Sequence, residues 1–221
     1  MSGGFLIAVD GPAASGKGTI AEGLARLYGY PCLDSGLLYR AVGMAVLTQG
    51  GDLDDAGRAA AAAAALRADQ LENPALRTRE AGEAASRVAV HTAVRAALLD
   101  FQRSFAAQLP GAVVDGRDIG TVIAPWAPAK LFVTASPEVR AARRWRQLEG
   151  QGQSQSVRLD DILADIRKRD ERDSGRAASP LARATDAVLL DTTEMTIDQA
   201  ADAARRIVET ARGRWAQTQT G

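Results

Sequence analysis

Gly11-Pro12-Ala13-Ala14-Ser15-Gly16-Lys17-Gly18-Thr19 decides the fold. The stretch reads G-x-x-x-x-G-K, and its flanks give the pattern meaning. Before it, Phe5 to Val9 (FLIAV) is a short apolar run bounded by glycines, the signature of a buried strand. After it, Ile20, Leu24, Leu27 and Tyr28 recur at helical spacing, which predicts a helix over 17–28. A glycine-rich turn between strand and helix directs main-chain N–H groups inward, where the helix's positive end also points, and so cradles a phosphate. Lys17 adds a point charge for the β- and γ-phosphates. The hydroxyl that usually follows the lysine directly is one position later, at Thr19, behind Gly18. That shift leaves the ligands of any Mg²⁺ open.

Outward from this loop the pattern alternates. PCLD (31–34) reads as a second strand and 36–48 as a helix ended by Gly50-Gly51. Seven consecutive alanines, 59–65, favour a helix over 54–68. Residues 78–108 read as helical with a break near His91. GAVVD (111–115), KLFVT (130–134) and AVLLD (187–191) read as strands. Ser136-Pro137-Glu138 starts one helix and LDDILADI opens another, after a glycine-rich loop at 150–156. Thr196 and Gln199 form a capping-box pair before the last helix, whose tail AQTQTG is expected to fray. Strands separated by helices predict an α/β fold with a five-stranded parallel sheet flanked by helices. In such sheets ligands bind beyond the carboxyl ends of the strands.

Composition bounds the rest. The 221 residues are 46% hydrophobic with zero formal net charge, which excludes a disordered chain. No apolar run approaches the ~18 residues of a membrane span, and the N-terminus lacks a basic secretory leader, so a cytoplasmic protein is expected. Cys32 is the only cysteine, so neither an internal disulfide nor a cysteine zinc site is available. Between Arg140 and Arg183, 11 basic and 7 acidic residues leave a local surplus of positive charge. That field suits an anionic ligand and is too mixed for nucleic acid. His91, the single histidine, reads as structural, Cys32 as a small buried hydrophobe, and Trp126 as packing a proline turn.

Three clusters follow strands. Asp34-Ser35-Gly36-Leu37-Leu38-Tyr39-Arg40 offers Ser35 as a helix cap and Arg40 as an anion contact, although a capped helix with a surface arginine fits equally. Asp115-Gly116-Arg117-Asp118 places an arginine and two acids at the mouth of the sheet, which packing does not explain. The third is Arg169, Arg172, Asp173 and Arg176. On a helical wheel these continue the stripe of Leu159, Ile162, Leu163 and Ile166, so they face inward toward a polar cleft. Ser174-Gly175 is a possible helix end before Arg176.

Together DGPAASGKGT (10–19), LDSGLLYRAV (33–42), EAASRVA (83–89), VRAALLDFQR (94–103), VDGRDIGTVI (114–123) and RDERDSGRAASPL (169–181) resemble the bacterial-type cytidylate kinases, which are P-loop nucleoside monophosphate kinases. The resemblance implies phosphoryl transfer from ATP to CMP and dCMP with Mg²⁺, by one domain acting as a monomer. It implies that residues 11–19 bind ATP, and that Arg40, Arg117 and Arg176 hold phosphate, with Lys17, Arg117 and Arg176 catalytic. Ser35 joins the substrate contacts. Ser86, Arg95 and Asp118 are implied to contact cytosine, and Arg169 and Asp173 the sugar. A monophosphate-binding segment over about 35–95 and a lid over about 143–158, with Arg143, Arg144 and Arg158 as unranked candidates, complete the expectation. A longer insertion common in the family is reduced here to about ten residues without a strand pattern. Other small-molecule kinases share the loop; a guanine switch would need an N-K-x-D motif, which the sequence lacks.

Overall fold

The computed structural model describes residues 4–150 and 157–219. Five parallel strands form one sheet in the order β2-β3-β1-β4-β5: β1 Phe5–Asp10, β2 Cys32–Asp34, β3 Gly111–Gly116, β4 Ala129–Thr134 and β5 Val188–Asp191. Both faces of β1 are buried because its alternating side chains serve two cores. Phe5, Ile7 and Val9 pack with α1 (Lys17–Tyr28) and α8 (Ile197–Gln219). Leu6 and Ala8 pack on the other face with Ala106, Ile119 and Ile123.

Two further helical clusters extend this body. α2 (Ser35–Thr48), α3 (Ala56–Ala64), α4 (Arg79–Val88) and α5 (Thr92–Ala106) enclose Leu38, Val42, Val46, Ala59, Val88 and Leu98. α6 (Pro137–Gly150) and α7 (Leu159–Ser174) pack through Ala141, Leu148, Ile162 and Ile166. Two 3₁₀ turns, Ala68–Glu72 and Pro74–Arg77, occupy the short segment where the family's insertion was expected to be reduced, and no strand occurs there.

The strands and helices fall within a few residues of the sequence reading, with five differences. α3 stops at Ala64, because the chain turns at Ala65 and packs Leu66 back against the helices. Cys32 is exposed rather than buried, since β2 is an edge strand. Trp126 is exposed, and so is Leu159, because α7 has only begun at that point and the packed stripe starts at Ile162. α8 runs through the tail to Gln219. His91 accepts the structural role: it precedes α5, and its Nε2 lies 2.8 Å from the Leu53 carbonyl oxygen. Of the glycine-rich loop, residues 151–156 lie outside the described residues.

Candidate active site

The nine-residue loop leaves β1 through Gly11, where a Cβ would collide with the Val133 backbone carbonyl. Ala14 has a left-handed backbone (φ 59°) and Gly16, which precedes α1, another (φ 91°). A left-handed alanine is strained and needs its surroundings to hold it. Those surroundings are two arginines of α6. Arg140 donates to the Ala13 carbonyl (3.2 Å) and Arg143 to the Ser15 carbonyl (3.2 Å). Thr192, just after β5, donates its hydroxyl to the same Ser15 oxygen (3.1 Å) and is itself held by Arg143. These contacts hold the Ala13 and Ser15 carbonyls on either side of the strained Ala14.

Lys17 opens α1, and its Nζ lies 3.1 Å from Asp115 Oδ1 at the end of β3. Burial disfavours both charges, lowering the Lys17 pKa and raising that of Asp115, and their attraction offsets part of this. A cavity of about 820 Å³ opens over the loop, lined by Gly16 to Ile20, Arg143, Arg144 and the segment Thr192–Ala201.

Beside it, the third sequence cluster is assembled around one carboxylate. Asp173 is fully enclosed. Arg117 Nε donates to its Oδ2 (3.1 Å), Arg176 bonds its Oδ1, Arg169 Nε stands 3.8 Å away, and the Ser86 hydroxyl donates to Oδ1 (3.2 Å). Burial opposes the Asp173 charge, but Arg117, Arg176 and Arg169 outweigh it and hold its pKa below the usual carboxylate range. Arg169 has the opposite problem. Burial, and then Arg117, push its pKa down to about 9. The Nε atoms of Arg169 and Arg176 are buried without a hydrogen-bond partner. Three guanidinium groups against one carboxylate leave a positive surplus with donors to spare, which is an anion site.

Arg95 forms a buried ion pair with Asp118 and lies over the Tyr39 ring, 5.4 Å from its centroid. Arg40 donates to the carbonyls of Leu76 (2.7 Å) and Thr78 (3.2 Å). A second cavity of about 740 Å³, lined by Asp34, Arg40, Gly82, Glu83, Arg144 and Arg169 among others, adjoins the first through Ala14, Arg144 and Gln147. Ser86, Arg95, Asp118 and Asp173 are buried in two pairs, Ser86 with Asp173 and Arg95 with Asp118.

The structure brings Arg117, Arg169, Asp173 and Arg176 together, and adds Ser86, which the resemblance placed with Arg95 and Asp118. Three details differ. The cap of α2 is Asp34, whose Oδ1 accepts from the Gly36 N–H (2.9 Å); Ser35 is the buried first helical residue beside Gly116. Arg172 turns outward to Glu83 (2.8 Å) on α4 instead of joining the cluster. α7 ends at Ser174, yet Arg176 still folds back onto Asp173. The three arginines expected in a lid stand differently. Arg143 is committed to the loop and Thr192, Arg144 faces both cavities, and Arg158 is exposed with Asp160 as its neighbour.

Three contributors escaped the sequence reading, Asp115 as the partner of Lys17, Arg140 and Thr192, while Asp10, by sequence either a supporting group or an ordinary strand-end acid, is a buttress. Asp10 accepts from the N–H groups of Ile119 (2.8 Å) and Gly120 (2.7 Å), and burial raises its pKa to about 7. Their strand-end positions were the available signal for Asp10, Asp115 and Thr192. Arg140, inside a helix, offered none.

Comparison with known proteins agrees with this geometry. The family model described as cytidylate kinase matches residues 7–210. A cytidylate kinase of Caulobacter sp. (strain K31) is 70% identical over 96% of this chain and 97% of its own length. One from Xanthobacter autotrophicus is 63% identical over 94% and 99%. A crystal structure of an uncharacterized protein from Eubacterium ventriosum shares the fold, with a TM-score of 0.54 at 15% identity over 93% of this chain and 98% of that one.

Proposed function

The chain belongs to the cytidylate kinase family, and from that premise we propose how its residues divide the transfer of the γ-phosphoryl group of ATP to CMP or dCMP. The observation that carries this reading is the convergence of Arg117, Arg169 and Arg176 on Asp173. Arg117 follows the end of β3, two residues after Asp115, the partner of Lys17.

Phosphoryl transfer asks for positioning and charge neutralisation more than for covalent work. ATP's phosphates lie on the loop of residues 11–19 (Gly11, Pro12, Ala13, Ala14, Ser15, Gly16, Lys17, Gly18 and Thr19), held by its main-chain N–H groups; Pro12, which has none, shapes the turn. Lys17 leaves Asp115 for the β- and γ-oxygens. The α-phosphate of CMP, which carries roughly two negative charges at neutral pH, takes up the surplus of the arginine cluster, and Arg40, which with Arg169 crowds the space a Cβ on Gly82 would fill, adds to it. Two anions repel, and this cluster offsets the repulsion while Arg144, facing both cavities, spans the junction. No general base is required, because the acceptor oxygen is already anionic.

Cytosine is recognised by the buried pair. Asp118 accepts from the N4 amine and Arg95 donates to N3 or O2; Ser86 supports them. Asp173 and Arg169 take the sugar hydroxyls, and Ser35 lines the approach beside Gly116. Cytosine binding therefore opens contacts that the side chains now make with each other.

Mg²⁺ fits the same end of the sheet. Asp34 and Asp115 are register partners on adjacent strands, and Asp115 Oδ1, buried 3.1 Å from the Lys17 ammonium, is released when Lys17 turns to the phosphates. Hydrated Mg²⁺ takes one or two carboxylates plus substrate phosphates, so Asp34 and Asp115, with the exposed Thr19 hydroxyl, would hold it. Once bound it would neutralise charge on the β- and γ-oxygens.

The protein is read as one monomeric cytoplasmic domain, with an acceptor-binding segment over about 35–95 and a lid over about 143–158 that excludes water. Among the described residues no helix is long and apolar enough to cross a membrane. The test is ADP release in a coupled assay across nucleoside and deoxynucleoside monophosphates. CMP and dCMP turn over, and UMP follows with kcat/KM roughly 10²-fold lower, the scale set by mismatched buried polar groups. Equal turnover of UMP would remove the roles given to Arg95 and Asp118.

A further inference from the structure

Arg140 was drawn above only as a grip on the loop, yet its guanidinium makes bonds in two directions. It is buried in α6, three residues after the helix's first residue. Its Nε donates to the Ala135 carbonyl (2.9 Å). One terminal nitrogen donates to the Ala13 carbonyl (3.2 Å) and to Asp170 Oδ1 (3.0 Å), and the other to Asp170 Oδ2 (2.6 Å). The guanidinium fork thus meets a carboxylate with both prongs and a loop carbonyl with the same group.

Both ends of this contact lead to the reacting phosphates. The Ala13 carbonyl and the Ala14 N–H belong to one planar trans peptide and point in opposite directions. Holding the oxygen therefore fixes where the Ala14 N–H points. Ala14 is the strained left-handed residue, and it lines both cavities. A cation on the carbonyl also polarises the peptide and strengthens its N–H as a donor. At the other end, Asp170 follows Arg169 directly and precedes Asp173 by three residues, within one turn of α7. Moving Asp170 moves the helix that carries two members of the acceptor cluster.

We infer that Arg140 and Asp170 form a strut that sets the donor loop and the acceptor cluster at the distance needed for transfer. Arg140 is a positioning residue: it acts through the Ala14 peptide and through α7, and touches neither nucleotide. The strut is distinct from the hydrophobic packing of α6 on α7, which rests on Ala141, Leu148, Ile162 and Ile166. It depends on the fork geometry, which lysine does not reproduce.

This inference rests on the kinase reading above, and wild-type turnover of CMP in the same assay tests that reading separately. Arg140→Lys, Asp170→Asn and the double variant are compared by steady-state kinetics, varying ATP and CMP in turn. In each single variant kcat falls at least fivefold while both KM values stay within threefold. The double variant loses no more than the worse single, as for two ends of one device. The inference is overturned if kcat in either single variant falls less than fivefold, if the loss appears in KM instead, or if the two losses multiply. Asp170 is partly exposed, so Asp170→Asn decides the question alone should Arg140→Lys not fold.

Discussion

Arg117 Nε and Asp173 Oδ2 are 3.1 Å apart, although 56 residues separate them in the chain. This contact joins the end of β3 to the last turn of α7, and it holds a guanidinium in place before any phosphate arrives. A buried carboxylate that organises three arginines has a measurable consequence. Asp173→Asn leaves Arg117, Arg169 and Arg176 uncompensated, and breaking a buried pair in this way costs about 3–5 kcal/mol. Denaturant unfolding of the variant shows that loss, and added CMP or inorganic phosphate restores more stability to it than to the wild type. Equal stabilisation of the two by phosphate would contradict the anion-site reading.

Base choice is carried by a second buried pair. Asp118→Asn converts an obligatory acceptor into a group that can also donate, which suits the O4 of uracil. The ratio of kcat/KM for CMP over UMP falls by at least about tenfold, corresponding to the ~1.4 kcal/mol of one altered buried contact. An unchanged ratio in the acceptor panel would show that Asp118 does not read the base.

Asp10 makes stability depend on pH in an uncommon direction. Its pKa rises from 3.8 to about 7 in the folded protein through burial. Between those values the folded state keeps a proton that the unfolded state has released. Stability attributable to this group is therefore greatest at low pH and declines as pH rises through about 4 to 7, then levels. The decline is on the order of a few kcal/mol. Asp10→Asn removes it, so urea-unfolding curves of wild type and variant converge or diverge across this range instead of running parallel. Parallel curves would show that Asp10 stays ionised.

Much of this architecture was legible because it is local. The apolar run Phe5 to Val9 and the glycine pattern after it specify strand, loop and helix within 24 residues, Phe5–Tyr28. The inward aim of Arg169 and Asp173 followed from helical phase alone, as it did for Ile162 and Ile166. What stayed hidden depends on partners far along the chain. Cys32 and Leu33 look equally apolar in sequence, but only the sheet order makes β2 an edge and exposes Cys32. Arg172 shares the helix of Asp173, and only the position of α4 turns it to Glu83. Arg140 could not be told from the other arginines of α6, because its partners Ala13 and Asp170 lie 127 and 30 residues away.

The central claim is that two anionic nucleotides are gripped side by side, one on the loop amides and one on the arginine cluster. A bisubstrate compound joining adenosine and cytidine through a chain of phosphates tests this most directly by isothermal titration. The account predicts one compound per chain, bound at least about 100-fold more tightly than ATP or CMP alone, as expected when linked groups reach both sites at once. Binding no tighter than the better single nucleotide, or two compounds per chain, would contradict it.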